Sequence, residues 1–309
     1  MIDFRYHLVS IVAVFLALAV GVGLGSTALR GPVLSDLGNN VDRLTKENKG
    51  LRSNVSALRT QNSQQQQFAA EAAPRLLKGR LTGQRIAVVS LPGASTSNRE
   101  AVVKSADQAG ATVVSQVTLT SDFTDPQSDD KMANLAVRDL DLIPGLQLPQ
   151  TTSGLTQTSA LLGAVLVGAQ GVTIKGSVRN AVLQSLSTLG VASTQGDVTG
   201  RASAVVVVSG GASTGDNASA RNKAAVTVVS QLAQSSPNLV VAGPSSADSS
   251  PVQEVRDDNA LAKSVSTVDD VDQPTGRIAT MLALDEQTAG RSGQYGTGSG
   301  ATALMPSGT

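Results

Sequence analysis

The chain has 309 residues, and its 24 Lys and Arg balance 24 Asp and Glu, so no bulk charge directs it to nucleic acid or to anionic lipid. It contains no Cys and one His (His7). This excludes disulfides, thiolate metal ligands, Cys nucleophiles and zinc centres built from several His. Aromatic residues are scarce, which argues against an outer-membrane barrel of ordinary design with its aromatic girdles and predicts a core of Val, Leu, Ala and Ile.

The uncharged apolar run from Leu8 to Leu29 is long enough, at ~1.5 Å of helical rise per residue, to cross a ~30 Å hydrocarbon core. Two alternatives stay open, a buried core helix and a secretory signal. The apolar region of a signal usually spans only ~7–15 residues, although the small residues from Ser26 to Ala28 offer a cleavage site. A short N-terminus with Arg5 before a single span favours an N-inside orientation, with the later domains outside the cytoplasmic membrane and Phe4 and Tyr6 at the interface. Ala13, Ala17, Gly21 and Gly25 recur four apart, and the Gly21-to-Gly25 pair would let two helix backbones approach closely. These glycines have no strand before them, so they are not a nucleotide fingerprint.

A second helix is expected to begin at Pro32, and a heptad pattern follows it. Leu34, Val41, Asn48 and Val55 share one seam position, and Leu37, Leu44, Leu51 and Leu58 share the other. Leu at the second position with mostly β-branched residues at the first favours two parallel strands, and a lone Asn48 pairs best with its own copy. The dimerisation residues of this reading are Ala17, Gly21, Gly25, Leu37, Val41, Leu44, Asn48, Leu51, Val55 and Leu58. Glu47 and Arg52 come within reach across such a dimer. The seam turns polar at Asn62 and Gln65, is expected to resume from Phe68 to Ala73, and is ended or interrupted by Pro74. A single amphipathic helix lying on the globular domain is the alternative.

From Leu77 onward the pattern alternates. Arg85 to Ser90 reads as a buried strand, Asn98 to Ala109 as a helix with Asn98 as its cap, and Ala111 to Thr120 as a second strand. An acidic loop spans Asp122 to Asp130, and Lys131 to Leu142 is helical. Pro144 to Ser159 reads as a loop or subdomain boundary, and Leu161 to Val167 is left between strand and buried helix. Val178 to Leu189 and Asn217 to Gln234 are helical. Ala202 to Ser209, Leu239 to Ala242 and Ser264 to Val268 are strands, and Thr275 to Ala289 is the last helix. Strands alternating with helices predict an α/β fold with a mostly parallel sheet. The Gly- and Ser-rich tail from Gly290 is expected to be mobile.

Open α/β sheets bind ligands beyond the carboxyl ends of their strands. Two loops stand there, Leu91 to Ser97 and Ser209 to Asp216, but neither carries the Lys of a phosphate-binding loop, and a plain connection before a helix explains both. Asp269, Asp270 and Asp272 form a candidate hard-cation site without the spacing of a calcium loop, so a solvated turn is the preferred account. A Ser-His-Asp triad would have only His7, so the chain reads as a non-enzyme.

The opening MIDFRYHLVSIVAVFLALAVGVGLGS with the Leu-rich coil behind it resembles the mycobacterial copper transport protein B family (MctB). So do Arg85-Ile-Ala-Val-Val-Ser-Leu-Pro-Gly93, the segment Ser266 to Asp272, and Gly290-Arg-Ser-Gly-Gln-Tyr-Gly296. The resemblance implies an actinobacterial envelope protein, of cytoplasmic or outer membrane, acting in copper efflux and low intracellular copper as part of a pore or transport assembly. Copper is then the transported ion, with Met281 and Met132 as candidate ligands, although the four Met are scattered along the chain. The expected organisation is an anchor over residues 1–31, a coiled-coil stalk over 32–76, an extracytoplasmic α/β domain over 77–289 and a tail over 290–309. The expected partners are the membrane, a second copy and other envelope proteins. A dimeric adaptor for such proteins is the rival reading, and an α/β enzyme a third.

Overall fold

The computed structural model describes residues 4–196, 198, 200–245 and 249–307, and the side chains of residues 27–36, Leu34 among them, lie outside this description. The chain divides into two compact units, Met1–Gln65 and Gln66–Thr309. One helix, α1 (Phe4–Leu77), runs through the first unit and opens the second. Its segment Phe4–Ser26 has a mean hydropathy of 2.6 and no buried residue. The expected restart at Pro32 is not observed: the missing N–H costs one hydrogen bond in a ladder that is long on both sides. Pro74 does not end the helix either, because Ala73 and Leu77 are packed in the core of the second unit and retain the last turn.

The second unit is built on a seven-stranded sheet of order β3-β2-β1-β4-β5-β6-β7. Its strands are β1 (Arg85–Ser90), β2 (Thr112–Leu119), β3 (Ala192–Thr194), β4 (Ala204–Val208), β5 (Leu239–Ala242), β6 (Ser266–Val268) and β7 (Gln294–Tyr295). Only the β2–β3 pairing is antiparallel. A parallel sheet needs cover on both faces, which is why β4 reads as an unbroken Val run. Alternate residues divide it: Val205 and Val207 face one core, Ala204, Val206 and Val208 the other.

On the first face lie α3 (Asp129–Leu140), α4 (Gly154–Val167), α5 (Gly176–Leu189), α6 (Ala218–Ser235), α7 (Pro251–Asp257) and α8 (Leu261–Ser264). The second face is covered by α2 (Thr96–Gln108), α9 (Pro274–Thr288) and the end of α1 through Ala69, Ala73 and Leu77.

Several expectations change. Ser95, not Asn98, is the N-cap of α2, and the acidic loop contains two short 3-10 turns, Ser121–Thr124 and Pro126–Ser128. Leu161 to Val167 is helix, the buried second half of α4. The stalk seam does not resume at Ala69 and Ala73, because both side chains are packed in this unit's own core. The segment from Gly290 is not a free tail but supplies β7, whose polar edge is paired by Thr302 and Ala303 N–H groups to the Gln294 carbonyl.

Helix α4 shows how an apolar segment is buried whole. Asp129 accepts from the N–H groups of Gly154 (3.0 Å) and Leu155 (2.8 Å), placing a carboxylate at the positive end of the helix dipole. At the other end Arg179 donates to the Val165 carbonyl and Arg201 to the Val167 carbonyl. Burial, with Arg201 beside it, pulls the Arg179 guanidinium below its ordinary pKa. A Cβ on Gly154 would overlap the Asp129 carbonyl oxygen, and one on Gly163 would overlap Ser235 Oγ.

Two outcomes follow. Gly154→Ala is expected to cost about 1–3 kcal/mol by overpacking, and Asp129→Ala roughly 1–2 kcal/mol by removing the charged cap. Chemical denaturation of the full chain in detergent, read by circular dichroism, checks both. An unchanged midpoint for Gly154→Ala would contradict this packing.

Candidate functional site

The chain leaves β1 through α2 toward β2 on one side, and leaves β4 through α6 toward β5 on the other. The carboxyl ends of β1 and β4 therefore flank the point where the winding reverses, the usual ligand crevice of an open α/β sheet. Both suspected loops stand at this point, as sequence reasoning placed them. They close on one another: a Cβ on Gly210 would overlap the Gly93 carbonyl, and Leu91 N–H donates to Val208 O at 2.8 Å. Arg99, 8% exposed, lies on the α2 side and donates to Thr118 Oγ1 at 3.1 Å. Ser213 N–H is held by Asn222 Oδ1 at 2.9 Å, which ties the second loop to α6. Beyond the crevice, Phe123, Met132, Leu155, Ala224 and Lys223 line a groove of about 510 Å³.

The three aspartates after β6 are not a solvated turn and do not converge on a cation. Asp269 is buried and paired with the buried Arg256 at 2.9 Å. It also accepts from the Thr297 and Gly298 N–H groups at 2.7 and 3.0 Å. Burial pushes the Asp269 carboxyl upward, but these donors and the guanidinium outweigh it and hold the group below the ordinary aspartate range. Asp270 adopts a positive φ of 64° and accepts from Thr297 Oγ1 at 2.7 Å. Burial, with Asp269 beside it, raises its pKa against the pull of the Thr297 and Ser245 hydrogen bonds. Asp272 turns instead to Ser245 N–H at 3.1 Å. Among the described residues no group of three His, Cys, Asp or Glu side chains could hold a metal ion.

Arg256 is the residue that sequence reasoning missed. Its Nε donates to Thr267 Oγ1, its Nη1 to Asp269 and the Ser299 carbonyl, and its Nη2 to the Tyr295 carbonyl. It thus fastens the C-terminal segment to the sheet edge. The close spacing of Gly293, Gly296 and Gly298 was the available signal, since a Cβ at any of them would meet Tyr295 or Asp269 closely. Tyr295 donates to Glu286, and burial pushes its phenol well above the ordinary tyrosine range.

The two candidate methionines, Met132 and Met281, do not meet. Met132 belongs to the core on the α4 face and Met281 to the core on the α2 face, each at most 1% exposed, with the sheet between them. Met305 is half exposed, and Met1 lies outside the described residues. His7 is exposed on α1. The helix residues Ala17, Gly21, Gly25, Leu37, Val41, Leu44, Asn48, Leu51, Val55 and Leu58 are all exposed.

Comparison with known proteins then decides the family. A profile described as "Copper transport outer membrane protein, MctB" matches residues 1–306. The chain belongs to the MctB family. It is 34% identical over 322 residues to the copper transporter MctB of Mycobacterium bovis, covering 99% of this chain and 100% of that one. The same protein of Mycobacterium tuberculosis gives the same values, and that of Mycobacterium leprae is 34% identical over 315 residues, covering 98% and 99%. These relatives are named as transporters, not enzymes. The match to MctB includes both the apolar helix and the Arg256-fastened C-terminus, so both lie within the shared length.

The Arg256–Asp269 clamp makes opposite predictions for adjacent carboxylates. Arg256→Met strands a buried carboxylate and is expected to cost about 3–5 kcal/mol. Because the folded Asp269 pKa lies below its unfolded value, its contribution is full above the ordinary aspartate range and is lost as pH falls through the folded pKa. Asp270 has a raised pKa, so its ionisation opposes folding as pH rises, and Asp270→Asn is expected to stabilise at pH 7 but not at acid pH. Thermal midpoints across pH for the parent chain, Asp269→Asn and Asp270→Asn test this. Equal responses of Asp269→Asn and Asp270→Asn would contradict the assignment.

Proposed function

We propose that this chain acts in copper export from the cell, as a parallel dimer anchored in the envelope membrane by Phe4–Ser26 with its α/β domain outside the cytoplasm. The observation that carries the reading is the full-length similarity to proteins named as copper transporters. Copper is the cargo here. Cu(I) recruits thiolate or thioether ligands, and Met132 and Met281 are buried on opposite faces of the sheet. The domain therefore supports transport as a part of an assembly rather than as a tight copper store.

The dimer reading rests on the exposed stripe of α1. Leu37, Leu44, Leu51 and Leu58 are 57–64% exposed at heptad spacing, with Val41 and Val55 beside them. An apolar seam of this regularity gains its stability by pairing, and Asn48 would fix a parallel register. In this reading the coil spans the heptads up to Leu58 and gives way before the second unit opens at Gln66. The sheet is open, its longest strand has eight residues and helices cover both faces. A pore, in this reading, is formed by the assembly and not by this sheet.

The adaptor reading shares the anchor and the seam. It differs in expecting other envelope proteins to co-purify while cellular copper stays constant on gene loss.

Cell copper content under moderate copper load is the deciding measurement. Deletion is expected to raise it and the intact gene to restore it, whereas unchanged copper would remove the export reading. For the dimer, Leu44→Ala with Leu51→Ala is expected to cost roughly 2–5 kcal/mol per buried leucine. Sedimentation in detergent would then show monomers. A mass unchanged from the parent dimer would sink the seam assignment.

A further inference from the structure

Helix α2 begins one short loop after the carboxyl end of β1, beside the point where the winding reverses. Its N-cap Ser95 makes no side-chain cap hydrogen bond and turns its Oγ to Ser97 Oγ at 2.7 Å. Helical bonding starts at Arg99 N–H, which donates to the Ser95 carbonyl. The N–H groups of Thr96, Ser97 and Asn98 therefore find no partner among the described residues. They lie at the positive end of the helix dipole, and Thr96 and Ser97 are exposed.

Two buried side chains make this end more positive and less satisfied. Arg99 donates through Nη1 to Thr118 Oγ1, and Thr118 is the register partner of Ser90, the last residue of β1. The guanidinium thus lies at the carboxyl ends of these strands, where its Nε and Ser90 Oγ are both buried without a partner. Its ion pair is with Glu100 at 3.7 Å, a side chain 67% exposed, so water screens the countercharge. A guanidinium withdrawn from water at the start of a helix adds like charge to the dipole end. Asn98, 7% exposed, lies one turn before Val102 on the inward stripe of α2. Its amide has no hydrogen-bond partner among the described residues, and unlike Arg99 Nε it reaches solvent.

We propose that this crevice binds a phosphoryl group, held by the Thr96, Ser97 and Asn98 N–H groups and the Asn98 amide, with the Arg99 charge behind them. The inference is independent of copper export and of the dimer. Several donors grouped at a helix end suit the oxygens of a tetrahedral anion. They are also fixed in advance: Ala94 N–H donates to Leu91 O at 3.1 Å, and Gly210 packs against the Gly93 carbonyl. The positive charge comes from Arg99 inside the helix instead of a loop Lys, so the loop composition alone gave no signal. Free phosphate and a phosphate monoester share this chemistry, and the experiment separates them.

The full-length chain in an uncharged detergent would be titrated calorimetrically with inorganic phosphate and, separately, with glycerol 3-phosphate. Saturable binding is expected. Tighter binding of glycerol 3-phosphate would assign an ester as the ligand, and equal or weaker binding would assign the free ion. Thr96→Pro removes one open N–H at the first helical position, where Pro fits. Ser95 already has the extended backbone (φ −70°, ψ 134°) that a following Pro requires. The thermal midpoint of Thr96→Pro is expected to hold or rise while its phosphate affinity falls about fivefold or more. Arg99→Gln keeps a donor for Thr118 but loses the charge, and is expected to weaken binding about tenfold or more. If Arg99→Gln fails to fold, Thr96→Pro decides alone. No saturable binding of either compound, or an affinity unchanged in either folded variant, overturns the inference.

Discussion

A parallel sheet tolerates no wet face, and that constraint organises the second unit. Every strand from β1 to β6 that joins in parallel must be covered twice, and the chain supplies helices to both sides. The thicker side needs a helix buried all round, α4, whose dipole ends are met by Asp129 and by the arginines at its far end. The thinner side is short of cover, and the last turns of α1 complete it through Ala69, Ala73 and Leu77. Small residues at 69 and 73 let the helix approach closely. The end of the long helix is thus core, not tether.

The far edge of the sheet is completed by an ion pair instead of a helix. Arg256 and Asp269 are both nearly withdrawn from solvent, which is affordable only because each finds further partners. Those partners are backbone groups of residues 295–299, so the pair converts a Gly-rich segment into the outermost strand and its following turn. The glycines serve close approach here, leaving room for the Asp269 carboxylate and the Tyr295 ring. Removing one member would strand the other's charge, although a buried pair is by itself weak evidence of net stability.

For a family described as copper transport proteins, the arrangement of sulfur is informative. The two buried methionines work as core side chains on opposite faces, where thioethers fill irregular gaps well. Among the described residues, large apolar side chains stay exposed along α1 and at Val137, Leu142, Leu304 and Met305.

Much of this was legible without coordinates, and the parts that were not share a cause. The membrane-length run, the heptads and the alternation of strands with helices follow from local pattern, because apolar periodicity reports local geometry directly, while the family came from the resemblance of the opening and C-terminal segments. The Val run of β4 and the loops following β1 and β4 were also placed correctly, but not that they meet where the winding reverses. The stretch Leu161 to Val167 was undecidable, since a segment buried on all sides has no period. The tail was misjudged because composition reports flexibility only when nothing distant binds the backbone, and Arg256 is about forty residues away. Likewise the coil was expected to resume from Phe68 to Ala73, although the domain claims Ala69 and Ala73. The sequence by itself determined most of the helices and the central strands, because hydrophobic spacing and chain chirality act over a few residues. Only the tertiary structure decided which face of α1 is core and which is open, and that the last residues are pinned, because those outcomes depend on partners distant in the chain.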